Sequence, residues 1–214
     1  MAMEVSTNDS TLKSMYDYLK TGTFSDLTIT CGDKTWNAHR VVVCSKSSFF
    51  RAACVGNFKE AATGVINLHY NNPMAVGLMM DYLNTKSYKI DEELLAAIRS
   101  RIYIHIQVHC LGDKYDIPGL CRLAASHYQS ILEDRATFEE YLASIPEVYL
   151  LRASDSLRGA AVEHARRRLA EDDWSLESRY KLKQVMKDVP EFGNRTVLLE
   201  VSIDPETRPY EILG

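Results

Sequence analysis

Between positions 24 and 50 the chain reads Phe24-Ser25-Asp26-Leu27-Thr28-Ile29-Thr30-Cys31-Gly32-Asp33-Lys34-Thr35-Trp36-Asn37-Ala38-His39-Arg40-Val41-Val42-Val43-Cys44-Ser45-Lys46-Ser47-Ser48-Phe49-Phe50. Residues 26–31 are rich in β-formers and partly alternate apolar with polar side chains, as a half-buried strand requires. Gly32-Asp33-Lys34 supplies a turn, and Thr35-Trp36-Asn37-Ala38-His39 is the returning strand of a hairpin. From 41 to 55 the texture changes. Val41, Val42, Val43, Phe49, Phe50 and Ala53 mark one apolar helix with serine and lysine on its wet side.

On the N-terminal side, Leu12, Met15, Tyr16 and Leu19 recur at helical spacing over 10–20, and Gly22 ends that helix. On the C-terminal side, a Gly56-Asn57 break precedes Phe58-Lys59-Glu60-Ala61, and Val65-Ile66-Asn67-Leu68 is a short strand. Asn72-Pro73 starts a helix, with Asn as cap and Pro in the first turn; Met74, Leu78, Met79, Tyr82 and Leu83 form its apolar face. Residues 85–100 read as a loop or short surface helix. An apolar helix follows over 102–115, broken by Asp116-Ile117-Pro118 and resumed over 120–131. Beyond 135 only short helices are expected. Thr137…Glu140 and Ser144…Glu147 have capping-box spacing, Asp155-Ser156 caps a helix over 157–170, and another spans 176–188. Pro205 and Pro209 mark a tail. The class is α+β: a small sheet flanked by helices, followed by an all-helical extension.

Composition narrows the function. Against 25 Lys+Arg stand 29 Asp+Glu, a net charge of −4, so no basic excess drives nucleic-acid binding by counterion release. No apolar run reaches membrane-spanning length and the first 20 residues are polar and mixed in charge, so neither a membrane span nor a signal peptide is expected. The five cysteines, at 31, 44, 54, 110 and 121, are odd in number and widely spaced; they read as reduced thiols in an intracellular protein, cytoplasmic or nuclear. Ala165-Arg166-Arg167-Arg168 reads as the exposed face of a helix buried through Val162, Ala165 and Leu169, rather than as a nuclear signal. The ten glycines are scattered and form no phosphate loop.

The stretch quoted above resembles the BTB/POZ domain. Members of that family show a Ser-Asp dipeptide opening a strand, an Ala-His-Arg or Ala-His-Lys after the second strand, and then an apolar helix with Ser before Phe. Further segments follow in the family's order: Phe58-Lys59-Glu60-Ala61 with Ile66-Asn67-Leu68, Asn72-Pro73 leading to Met80-Asp81-Tyr82-Leu83-Asn84-Thr85, and Leu111-Gly112-Asp113-Lys114-Tyr115-Asp116-Ile117-Pro118-Gly119-Leu120. The style is similar to that of the short BTB proteins of filamentous fungi. The resemblance implies an N-terminal helix over 1–23, the domain over 24–132 with an insertion at 86–100, a helical extension over 133–192 and a tail over 193–214. It implies a three-stranded sheet flanked by helical hairpins.

What the resemblance implies for function is protein–protein interaction, by homo- or hetero-oligomerisation, without catalysis, metal or cofactor. Asp26 and Arg40 fall where the family has a buried acid and base in a charged pocket near the dimer interface; a fixed ion pair between hairpin and helix is the structural alternative. His39 takes a structural role at the strand-to-helix corner. The stripe of Leu12, Met15, Tyr16 and Leu19 is buried either against its own domain or against a second copy. Phe58 and Glu60 resemble the hydrophobic-any-Glu element of members that recruit a cullin ubiquitin ligase, which makes a ligase adaptor the alternative function. A more remote alternative is a metal-dependent hydrolase built on His105 and His109, one helical turn apart. Ile106 stands where the zinc-protease pattern needs Glu, and Cys110 points away from His109.

Overall fold

Two short strands, β1 (Leu27–Cys31) and β2 (Lys34–Ala38), pair antiparallel with Leu27 opposite Ala38 and Cys31 opposite Lys34. The computed structural model describes residues 10–91, 100–134, 136–150, 155–170 and 175–201. Gly32, at φ +60°, opens the two-residue connection, as hairpin turns of the primed classes require. β3 (Val65–Asn67) joins β1 in parallel, setting Ile66 beside Ile29 and giving the sheet order β2-β1-β3. As the central strand, β1 sends Leu27, Ile29 and Cys31 into the core.

The apolar run expected to form one helix over 41–55 forms two, α2 (Arg40–Lys46) and α3 (Ser48–Val55). Ser47 separates them in an extended conformation, φ −142° and ψ 124°. Its hydroxyl accepts the Phe50 N–H at 3.1 Å, capping α3, and donates to the Tyr115 carbonyl. Both groups would otherwise be unpaired in a buried place, so the local break satisfies two backbone demands at once. The short α4 (Lys59–Thr63) ends at Gly64, in the left-handed region at φ +66°, and the chain turns directly into β3.

α5 (Pro73–Thr85) begins as expected, with the Asn72 side chain accepting the Met74 N–H at 2.9 Å and Pro73 in the first turn. Val76, Met79 and Leu83 are wholly buried. α5 packs against α6 (Arg101–Lys114), and α7 (Pro118–Asp134) follows a reversal at Tyr115-Asp116. The sheet, α2, α3, α5 and α6 share one apolar core that includes Ile29, Phe50, Met79 and Val108. Of the expected insertion at 86–100, residues 92–99 lie outside the described residues; Tyr88 just before them is buried.

The chain divides into two compact units at Ala124–Ala125, inside α7 and short of the expected boundary at 132. The second unit contains α8 (Phe138–Leu150), α9 (Asp155–Leu169), α10 (Leu176–Asp188) and α11 (Pro190–Val201). At its first turn Thr137 and Glu140 form a reciprocal capping box: the Glu140 carboxylate accepts the Thr137 N–H at 2.9 Å and the Thr137 hydroxyl accepts the Glu140 N–H at 3.2 Å. The second match of that spacing caps nothing. Ser144 lies within α8, is buried, and donates back to the Tyr141 carbonyl at 2.7 Å. The tail expected from 193 is likewise corrected, because α11 continues helically to Val201; residues 202–214 lie outside the described residues.

Candidate interaction surface

The N-terminal helix α1 (Ser10–Thr21) touches α5 of the first unit. It ends at Gly22, φ +74°, where a side-chain carbon would fall 2.6 Å from Asn37 Cβ of β2. Of the apolar stripe, Leu19 is half-buried, and Tyr16, Leu19 and Lys20 border an open cavity of about 420 Å³ lined also by Asp81, Asn84 and Tyr88. Burial, reinforced by Asp91, raises the Asp81 carboxyl above its ordinary range. Met15 and Tyr16 remain 57% and 47% exposed; the side chain of Leu12 lies outside the described residues. Two residues extend the exposed apolar surface beyond the expected stripe. Tyr18 is 43% exposed, and Phe24, 79% exposed, meets its ring edge-on at 5.2 Å. Phe24 holds φ +63°, a conformation costing an L-residue about 1–2 kcal/mol, and it presents its ring to solvent there.

Asp26 and Arg40 meet through the backbone. The Asp26 carboxylate accepts the Arg40 N–H at 2.7 Å. His39, the N-cap of α2, makes no side-chain cap bond, so Asp26 serves one of the orphan donors at that helix start. The Arg40 guanidinium donates to three carbonyls, Asp26 at 3.2 Å, Cys54 at 3.3 Å and Ala61 at 3.1 Å, tying β1 to the ends of α3 and α4. Of the expected charged pocket, the single chain leaves Asp26 exposed and Arg40 half-buried, with the arginine acting as a clamp between elements. His39 Nε2 donates to the Thr23 carbonyl at 2.8 Å, since a carbonyl only accepts. That bond fastens the strand-to-helix corner to the segment before β1.

Phe58 precedes α4 and is 60% exposed, its ring lying over Gly56, where a side-chain carbon would come within 2.9 Å of Cδ2. Glu60 is half-buried in the first turn of α4. Val41 and Val55, each 78% exposed, lie on α2 and α3 of the same run of packed helices.

His105 and His109 are both buried on α6. Nδ1 of His105 is 2.8 Å from the Tyr88 hydroxyl, and burial keeps that phenol protonated by pushing its pKa upward. Burial pushes the His109 imidazole downward, toward its neutral form. Among the described residues no group of three or more His, Cys, Asp or Glu is arranged to hold a metal ion. All five cysteines are unpaired; burial pushes the thiols of Cys54, Cys110 and Cys121 up to about 11, so they are poor nucleophiles. No described helix is long and apolar enough to cross a membrane.

Compared with known families, residues 15–131 match the BTB/POZ domain. Among curated relatives, "Zinc finger and BTB domain-containing protein 44" of Xenopus tropicalis is 33% identical over 72 residues, 34% of this chain and 16% of that protein. "Kelch-like protein 40b" of Danio rerio is 25% identical over 170 residues, 67% of this chain and 27% of that protein. The chain thus spans well under a third of the length of either relative. Among solved structures, the "BTB domain of zebrafish PATZ1" aligns with a TM-score of 0.42 and 13% identity, over 56% of this chain and 89% of that one.

Proposed function

The chain belongs to the BTB/POZ family, and from that membership we propose that it works by pairing with a second copy of itself across α1. Domains of this family are protein-interaction modules. The observation that carries the pairing is the apolar surface of Met15, Tyr16, Tyr18 and Phe24, exposed on one short segment of the first unit. Burying a large apolar side chain is worth about 1.5–3 kcal/mol, so a symmetric contact that covers this patch twice has a driving force. The function is binding, with no catalytic step. The unpaired cysteines support an intracellular setting, cytoplasmic or nuclear. Sedimentation velocity across a hundredfold concentration range tests the pairing. A dimer is expected, converted to monomer by Met15→Glu with Tyr18→Glu; a wild-type chain that stays monomeric throughout refutes it.

A second reading is supported by Phe58, which stands exposed beside Glu60 at the start of α4. An apolar anchor next to a carboxylate suits docking into a partner's groove, and the family resemblance makes that partner the N-terminal domain of a cullin. Pull-down with such a domain is expected to succeed with wild type and to fail with Phe58→Ala. No capture by wild type ends this reading and leaves the first intact.

A further inference from the structure

Two of the five unpaired cysteines meet across the break at Ser47. Arg40 and Cys44 lie one turn apart on α2 and so share a face. That face meets α3. The Arg40 guanidinium donates to the Cys54 carbonyl at 3.3 Å, and the Cys44 thiol donates to the Phe50 carbonyl at 3.6 Å. Phe50 and Cys54, again one turn apart, are the buried residues of α3. The Cys44 and Cys54 thiols come within hydrogen-bonding reach of each other.

The two sulfurs are not equivalent. Cys44 is half-buried, whereas Cys54 is only 6% exposed, so a small solute reaches Cys44 first. Burial, and then the contact with Cys44, push the Cys54 thiol up to about 11, against the pull of Arg40. A contact that favours the protonated form of Cys54 is one in which Cys54 donates and the Cys44 sulfur accepts. The remaining thiols are placed differently. Cys31 donates to the Leu68 and Asn71 carbonyls at 3.1 and 3.3 Å. Cys121 donates to the His109 carbonyl at 3.6 Å, and Cys110 acts on it through charge alone.

We propose that Cys44 and Cys54 form a peroxide-sensitive dithiol, in which a hydroperoxide oxidises Cys44 and Cys54 then closes a disulfide that fastens α2 to α3. In the first step the Cys44 thiolate attacks one peroxide oxygen. An S–O bond forms, the O–O bond breaks, and the leaving oxygen takes a proton and departs as water or an alcohol. Cys44 is now a sulfenic acid. In the second step the Cys54 sulfur attacks the Cys44 sulfur. The S–S bond forms, the S–O bond breaks, and the departing hydroxide takes up the Cys54 proton as water. The two thiols are thereby oxidised by two electrons and the peroxide is reduced by two. Cys54 is a poor nucleophile toward solutes, but it attacks a sulfur already beside it, and proximity replaces intrinsic reactivity. Disulfides inside cells are commonly transient and redox-sensing, which fits the intracellular setting proposed for this chain.

Trypsin places the five cysteines on five separate peptides, with Cys44 on 41–46 and Cys54 on 52–59. The reduced full chain is treated with equimolar hydrogen peroxide, blocked with iodoacetamide in urea, digested without reductant and read by mass spectrometry. A product joining 41–46 to 52–59 is expected, in about tenfold excess over one joining Cys110 to Cys121. The chain keeps monomer mobility in non-reducing denaturing electrophoresis, and dithiothreitol reverses the product. Cys54→Ser leaves Cys44 as a sulfenic acid that dimedone traps; the wild type yields far less of that adduct. The two cysteine pairs enclose loops of nearly equal length, so oxidation in urea should abolish the preference. The proposal is overturned if the folded wild type gives no joined product, equal amounts of the Cys110–Cys121 product, or a covalent dimer. A preference that persists in urea overturns it too, as does a wild-type dimedone adduct equal to that of Cys54→Ser. The wild-type map alone can refute it, so a misfolded variant does not shield it. None of these outcomes bears on pairing through α1.

Discussion

Replacing Ser47 with Ala removes one oxygen and disturbs two backbone groups. Ser47 is 2% exposed, so water does not readily take its place. The first loss is the cap: the Phe50 N–H at the start of α3 no longer has the hydroxyl at 3.1 Å, worth about 1 kcal/mol. The second is the Tyr115 carbonyl, which loses its donor where Tyr115 is itself only 2% exposed; an orphaned buried acceptor costs about 1–3 kcal/mol. Together the substitution destabilises the first unit by about 2–4 kcal/mol. Ser47→Gly leaves the carbonyl equally orphaned but is a far better cap than Ala, so it is expected to recover about 0.5–1 kcal/mol. Ser45→Ala is the control: its hydroxyl donates to the Val42 carbonyl on an exposed site, and the effect should stay within about 0.5 kcal/mol. Urea unfolding reads the difference, followed by fluorescence of Trp36, which lies over Gly77 of α5, in a chain carrying Trp174→Phe. A cost below about 1 kcal/mol for Ser47→Ala, or a Gly variant no better than the Ala one, would falsify the account of Ser47 as joint cap and donor.

Gly112→Ala sets a carbon 2.7 Å from Cys121 Sγ and 3.0 Å from the Cys121 backbone nitrogen; with backbone unable to yield cheaply, about 1–3 kcal/mol of stability is lost in the same unfolding assay, and a neutral result shows that α6 and α7 slide apart freely. Acid destabilises the second unit through His164: its pKa is about 4 folded against 6.5 as the ordinary value, so the unfolded chain binds the extra proton between those limits and stability falls as pH drops from 6.5 toward 4. Discounted for the solvent screening of a half-buried ring, the loss is about 1–2 kcal/mol, and His164→Gln should flatten that part of the curve; an unchanged slope contradicts it. The thiols of Cys54, Cys110 and Cys121, the first buried and the other two half-buried, are held at about 11 and should alkylate with iodoacetamide at pH 8 at least tenfold more slowly in the native chain than in urea, as counted by mass spectrometry.

What could be read from the chain alone was what short-range chemistry specifies. The apolar positions Leu27, Ile29 and Cys31, the glycine-led turn and the Asn72-Pro73 helix start each depend on residues within one turn or one strand, and each appears where expected, save that the turn is one residue shorter because Lys34 already belongs to β2. The break at Ser47 does not, because its decisive partner is Tyr115, 68 residues away; the apolar period runs straight through it. Spacing is necessary but insufficient for the capping box, which forms at Thr137, where a helix begins, and not at Ser144, already inside one. The interaction surface shows the same limit. A helical stripe at Met15, Tyr16 and Leu19 says that a face seeks burial, not whether its own fold or another molecule provides it. Phe24 was invisible for the opposite reason: its left-handed backbone runs against the local preference of an aromatic residue. The fold accepts about 1–2 kcal/mol of backbone strain to set that ring against Tyr18, and leaves both in solvent. The pairing proposed above would cover both rings at once, which is why the strain and the exposed patch on α1 belong to one argument.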